Sequence, residues 1–274
     1  MSGRTIVITG ASDGIGAAAA RELKARGEQV VIVGRSPAKT ARVAGDLGVP
    51  HHVADYASLA QVRRLAAELD AAYPRIDVLA NNAGGIFSQR QLTGDGNELT
   101  FQVNHLAGFL LTTLLLPKLV ASRALVLQTA SDAARRMARY DPDDLQSGRG
   151  YSTWRAYGNS KLENILFTRE LHRRHHADGI SAAAFHPGVV GSNFGSTSTW
   201  STRLFYSLPF LKSRFLLSPE RGADTLVWLA EGTPGTTWQS GDFYDRRRPV
   251  PVPPQAADDD LARRLWEDSE RLVA

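Results

Sequence analysis

A chain of 274 residues, 43% of them hydrophobic, can bury a large core as one α/β domain or two ordinary ones, and one is expected. Its 32 basic residues against 28 acidic leave a net +4, too small and too dispersed a surplus to argue for nucleic acid. With no cysteine, disulfides, thiolate nucleophiles and the usual structural zinc sites drop out together; a reducing compartment is allowed by this but not demonstrated, and a cytoplasmic location is the expectation.

In chain order, Met1-Ser-Gly-Arg-Thr5 runs straight into an apolar strand, without the basic and hydrophobic leader of a secretory signal. Runs of β-branched or apolar residues predict strands at 5–9, 29–33, 49–53, 76–80, 124–129 and 180–185, with a last one at 242–245. Between them the patterning predicts helices at 15–26, 38–45, 59–72, 98–121, 154–175 and 219–231. The alternation, and near-continuous runs such as Val30-Val-Ile-Val33, imply an α/β fold with a doubly wound parallel sheet and helices on both faces. The most apolar segment, 106–120, is too short to span a bilayer and is interrupted by Thr112, Thr113, Pro117 and Lys118, so it reads as a buried helix and no transmembrane segment is expected.

Two stretches break the rhythm. Residues 191–217 are rich in Ser, Thr and aromatics and too long for an ordinary connection, which suggests a lid or binding loop within the single domain. In the tail, from about 246 to 274, Arg246-Arg-Arg-Pro-Val-Pro-Val-Pro-Pro254 should be extended by its prolines, with a short amphipathic helix at 258–272 behind it. His172, His175 and His176, interleaved with Arg173 and Arg174, read as a cationic helix end on a solvated face, and no metal is expected.

The first chemical signal is Thr9-Gly10-Ala-Ser12-Asp13-Gly14-Ile15-Gly16, between a strand and an Ala-rich helix. Glycines there let the backbone turn sharply and approach a pyrophosphate that faces the helix N-terminus. At the end of the second strand, Arg35 stands where a carboxylate would hold the ribose of NAD, and no acid occurs between Glu28 and Asp46. An arginine there suits the 2′-phosphate of NADP, so NADP(H) is favoured over NAD(H), with Arg35 as charge partner and Ser36 as hydrogen-bond donor. Asp55, after the third strand, could accept from an adenine amino group or equally cap the next helix.

Thr9-Gly-x-x-x-Gly14-x-Gly16, Asn81-Asn82-Ala83-Gly84, Asn104, Ser131 and Tyr157-x-x-x-Lys161, in this order and spacing over roughly residues 4 to 190, resemble the short-chain dehydrogenase/reductase family. Asp141-Pro-Asp-Asp-Leu145, Tyr157-Gly-Asn-Ser-Lys-Leu-Glu-Asn-Ile165 and His186-Pro-Gly188 resemble its retinol-dehydrogenase-like branch. The resemblance implies a Rossmann-type doubly wound parallel sheet of about seven strands in the order 3-2-1-4-5-6-7, and an NADP-dependent oxidoreductase that interconverts an alcohol with an aldehyde or ketone. Tyr157 would be the general acid or base. A free phenol titrates near 10, so a cation one helical turn away, Lys161, is placed to lower that value and to hold the nicotinamide ribose. Ser131 would orient the substrate oxygen, and Asn104, uncomfortable inside an apolar helix, would hold a water linking Lys161 to solvent. Asn81 would brace the sheet while Asn82, Ala83 and Gly84 line the site. Pro187, Val190 and Ser192 would contact the nicotinamide carboxamide, although the family more often has Thr where Ser192 stands, and Asp13 replaces the basic residue of some NADP-using relatives.

Aromatic and apolar residues between Phe194 and Leu217 suggest a lipophilic small-molecule substrate, although the same face could serve an oligomer or a membrane surface. Relatives often form homodimers or homotetramers through the helices near Asn104 and Tyr157. A non-catalytic nucleotide-binding regulator of the same fold would have no need of Asn104, Ser131, Tyr157 and Lys161 together. A nucleotide-sugar epimerase would carry a different glycine spacing and a larger C-terminal domain.

Overall fold

A computed structural model describes residues 3–188 and 217–274. One sheet carries eight strands in the order 3-2-1-4-5-6-7-8. β1 (Thr5–Thr9) lies in its middle, parallel to β2 (Gln29–Gly34) and to β4 (Val78–Asn81). Short β3 (His51–Val53) closes one side, and β5 (Leu125–Thr129), β6 (Ser181–His186) and β7 (Phe243–Asp245) extend the other, all parallel.

The seven-strand expectation falls short by β8 (Arg248–Pro249), which pairs antiparallel to β7. Arg246 and Arg247 both take positive φ, 48° and 62°, and so make a two-residue hairpin turn out of what reads as an extended tail. Pro249 tolerates this position because an edge strand needs no donor on its outer side.

Successive side chains of β1 feed opposite layers. Val7 packs with α3 (Leu59–Ala72) and α5 (Ala107–Leu114), whereas Ile6 and Ile8 pack with α1 (Gly14–Ala25) and α9 (Pro219–Glu231). The alanines Ala17 to Ala20 are buried, and their small size lets α1 lie close on the sheet. α2 (Pro37–Leu47) completes that layer, and α8 (Thr153–His175) lies in the other.

The long helix expected over 98–121 is broken in two ways. After a single turn, α4 (Leu99–Phe101), the chain enters a π-helical turn over Gln102–Leu106 before α5 begins. α5 and α6 (Leu116–Ser122) then meet at 64°, because Pro117 has no N–H to continue the ladder. Leu106, Phe109, Leu110, Leu111, Leu115 and Leu119 are all buried in the core, and no single helix among the described residues is long and apolar enough to cross a membrane.

The C-terminal α10 (Asp259–Leu272) is amphipathic as expected. Its Trp266 packs edge-on to Phe109 at 5.1 Å and against Phe167 at 5.6 Å, under the guanidinium of Arg174. At the end of α8, His172, His175 and His176 hydrogen-bond Ser240, Asp178 and the Ile180 carbonyl separately, so they are tied to neighbours rather than simply solvated.

Candidate active site

The C-terminal ends of β1, β2, β4, β5 and β6 open into one cleft of about 890 Å³. Loops leaving those ends supply its walls, as expected for an open parallel sheet.

At one end the cleft is made mostly of backbone. Gly10 has φ +66°, and a Cβ there would stand 2.7 Å from Ala83 Cα. One on Gly16 would stand 2.6 Å from the Gly10 carbonyl. The glycine loop is thus folded tightly onto the 82–84 segment, with Ser12, Gly14 and Ile15 also facing the cleft. Asp13 caps α1, its Oδ1 accepting from Gly14 N at 2.7 Å, which gives the acid a helix-dipole role in place of a basic residue's.

Strand ends are cross-tied beneath the loop. Thr9 Oγ1 accepts from Asn82 N and Ala83 N, both at 3.0 Å, and donates to Ala80 O. Asn82 Nδ2 donates to Thr9 O at 2.9 Å, while its Oδ1 accepts from Thr129 Oγ1 at 3.2 Å. Asn82 therefore joins β1, β4 and β5 while lining the cleft. Asn81 turns away, donating to Thr112 Oγ1 at 2.9 Å on α5.

Arg35 and Ser36 reach the cleft together at the exit of β2. Ser36 caps α2, its Oγ accepting from Lys39 N at 3.4 Å, which leaves the hydroxyl able to donate as well. Asp55 lines the cleft but does not cap α3. Its Oδ1 accepts from Ala57 N at 3.0 Å in a local turn, and Ser58 is the cap, since it stands one residue before the helix.

The other end is built from side chains. Ser131 follows β5, and its Oγ accepts from Ala133 N at 3.2 Å to start the short α7 (Ala133–Arg136). Tyr157, 9% exposed, and Lys161, 1% exposed, lie one turn apart on α8. The Lys161 ammonium stands 5.7 Å from the centre of the Tyr157 ring and donates to Thr129 O at 2.9 Å. Burial brings its pKa down from 10.5 to about 8.

Asn104 sits in the π turn, where the extra residue swings its amide toward the loop after β4. It accepts from Gly85 N at 2.8 Å and donates to Gly85 O at 3.0 Å and Ser160 Oγ at 2.9 Å. Asn104 and Lys161 converge on Gly84, where a Cβ would stand 3.0 Å from Asn104 Oδ1 and 3.4 Å from Lys161 Nζ.

The arrangement, a phenol and a buried ammonium facing a hydroxyl across a cleft with a glycine loop at its far end, has clear kin. The family model described as short chain dehydrogenase matches residues 4–201. This chain belongs to the short-chain dehydrogenase/reductase family. A Streptomyces sp. (strain C5) protein, provisionally named a daunorubicin C-13 ketoreductase, is 44% identical over 281 residues, covering 100% of this chain and 93% of its own length. Human retinol dehydrogenase 13 is 38% identical, over 99% of this chain and 85% of its own. Among solved structures, an uncharacterized Mycobacterium paratuberculosis protein superposes with a TM-score of 0.78 at 34% identity, over 98% of this chain and 93% of its own. These relatives set the protein in the retinol-dehydrogenase-like branch, as an oxidoreductase of a family that uses NAD or NADP.

Within this short-chain dehydrogenase/reductase, Asn104, Ser131, Tyr157 and Lys161 come together, and Pro187 lines the same cleft. Val190 and Ser192, with nearly all of the 191–217 loop, lie outside the described residues. Several cleft residues escaped the sequence reading. Lys39 stands one helical turn after Arg35 and faces the same end; the signal was its place in the first turn after Pro37. Tyr56 is buried against the cleft wall, with no local pattern to mark it. Phe87, Met137 and Trp154 line the cleft with Ser131 and Tyr157, brought there by α7 and by packing that no local periodicity announces.

Proposed function

We propose that this enzyme is an NADP-dependent carbonyl reductase, interconverting a ketone or aldehyde with its alcohol, in which Tyr157 transfers the proton. The observation that carries the reading is the buried Lys161 ammonium beside the Tyr157 ring, at one end of a cleft whose other end presents Arg35 and Lys39. A fully buried cation without a carboxylate partner is costly, and a role in chemistry accounts for it.

The residues present fit a dinucleotide. The close approaches at Gly10 and Gly16 leave the loop surface bare of side chains beside the N-terminus of α1, where a pyrophosphate is favoured. Arg35 and Lys39 offer two cations for a 2′-phosphate, Ser36 a hydroxyl hydrogen, and Asp55 an acceptor for the adenine amino group. Bound there, reduced nicotinamide supplies the hydride to the carbonyl carbon. Ser131 donates a hydrogen bond to the carbonyl oxygen, Tyr157 delivers its proton to that oxygen as negative charge develops, and Lys161 stabilises the resulting phenolate. Asn104, clamped by Gly85 and Ser160, holds the π-turn backbone where a water could connect Lys161 to solvent.

A lipophilic substrate suits the apolar catalytic end. The chain is read as one cytoplasmic domain with a lid at about residues 191–217 and a tail from about 246. A homodimer or homotetramer through α5 and α8 would have to form around α10, which covers Phe109 and Phe167 there.

Cofactor titration tests the reading. The protein should bind NADPH at least tenfold more tightly than NADH, and Arg35→Ala should remove most of that difference, since a charged hydrogen bond is worth about 1.5–3 kcal/mol. Equal affinity for the two nucleotides in the unmutated protein would defeat the NADP assignment.

A further inference from the structure

The described residues expose five large apolar side chains, and two of them, Met137 (37%) and Trp154 (42%), stand in the cleft wall next to the catalytic phenol. The other three, Leu92, Leu114 and Leu272, lie away from it. Trp154 precedes Tyr157 by three residues on α8, which puts indole and phenol on neighbouring positions of one helix face.

Both exposed side chains are held on braced backbone. The start of α8 is strapped to the loop after β4, with Tyr151 OH donating to Phe87 O at 2.8 Å and Thr153 Oγ1 to Ser88 O at 3.0 Å. Phe87 itself folds over Gly85, where a Cβ would stand 3.2 Å from the ring. Met137 ends α7, which is seated on Gly158 of α8; a Cβ there would come within 2.7 Å of Ala138 N and 2.8 Å of Met137 C. The backbone that carries an indole, a phenyl ring and a thioether is thereby braced in three separate segments, all in the cleft lining that includes Ser131 and Tyr157. The acid next to Ser131 in the chain, Asp132, is already paired with Arg135 and Arg136, so it offers little to a cationic substrate.

Resting on the carbonyl-reductase reading above, we infer that Phe87, Met137 and Trp154 form a slot selecting a planar aromatic ketone, with Trp154 the main specificity-determining residue. Aromatic faces stack on indole, and a thioether packs favourably at a ring edge. A rigid ring system brings that surface without the rotamer entropy that an alkyl chain loses on binding. Walls fixed in advance reduce the ordering cost further.

Steady-state reduction of acetophenone, 2-acetylnaphthalene, 2-acetylanthracene and 2-decanone with NADPH tests this. KM should fall about tenfold or more along the aryl series, while 2-decanone stays near acetophenone. Trp154→Ala should raise KM for 2-acetylanthracene by about tenfold with kcat changed less than about threefold, NADPH affinity should not move, and Trp154→Phe should keep most of the aryl preference. A flat KM across the series overturns the slot. So does a Trp154→Ala penalty as large for 2-decanone as for 2-acetylanthracene, or one accompanied by lost NADPH affinity. If none of the ketones turns over, the reductase reading fails by itself, and calorimetric binding of 2-acetylanthracene to protein saturated with NADP decides the slot. Binding weakened by Trp154→Ala upholds it, and binding equal in both proteins, or absent from both, overturns it.

Discussion

The two ends of the cleft are built from different material. At the glycine-loop end, glycine backbone and strand ends make the surface, and the Thr9 and Asn82 side chains are spent tying strands together. At the Tyr157 end, side chains from separate segments, Phe87, Ser131 and Trp154 to Lys161, do the shaping, and Asn104 accepts from Gly85 N beside them. A backbone-made site should fail when any atom is added. A side-chain site should fail when one functional atom is removed, with little else disturbed.

The largest expected effect follows from removing one oxygen. Tyr157→Phe keeps the ring in contact with Ile86 and Ala133 and should therefore leave fold and NADPH binding intact. It should lower kcat for ketone reduction by about 10³-fold, within the range attributed to a positioned general acid. Single-turnover hydride transfer, followed by loss of NADPH absorbance, reads the effect directly, and activity within tenfold of the unmutated protein would show that the side-chain end does not work as assigned.

At the other end the comparison predicts the opposite pattern. Gly16→Ala adds one carbon, 2.6 Å from Gly10 O and 2.8 Å from Ala11 Cα. Neither is a flexible side chain, so the loop must move. Destabilisation of about 1–3 kcal/mol, with loss of NADPH affinity, is expected from overpacking of this kind. Urea unfolding with and without NADPH would measure both, and unchanged affinity would mean that the loop backbone is not what the nucleotide meets.

The same contrast explains what could be read from the sequence. Parallel strands are buried on both faces, so runs such as Val30 to Val33 stand out, and the strands of the sheet fall within a few residues of expectation except for β8. Glycines mark the backbone-made end in one contiguous string. α7 has four residues, too few for any periodicity, and the π turn at Asn104 looks helical in sequence because Val103, Leu106 and Leu110 carry a helical spacing through it. Gly158 gave no hint that it seats α7, since a helical glycine's purpose lies in what packs on it.

The last effect, a shift of a few degrees in melting temperature, has the opposite sign. Lys161 is fully buried with a pKa of about 8 against an ordinary 10.5, because burial disfavours its charge. Between these two values the unfolded chain holds the proton more firmly than the folded one, so stability from this group rises with pH across that window and is lowest below about 8. At neutral pH the protonated group therefore costs folding on the order of 3 kcal/mol. Lys161→Met removes the charge and keeps much of the volume, and Thr129 O retains Asn164 Nδ2 as a donor at 3.2 Å. The variant should thus be inactive yet melt about 5 °C higher at pH 7, with the gain shrinking as pH is raised toward 10. A lower melting temperature at pH 7 would mean that the ammonium contributes to the fold, and the case for Lys161 as a residue kept at a cost to stability would fall. The contrast between the ends then becomes energetic as well as material. Additions at the glycine loop should harm fold and binding together, whereas at Lys161 the group assigned here to the chemistry should be the one the fold would be more stable without.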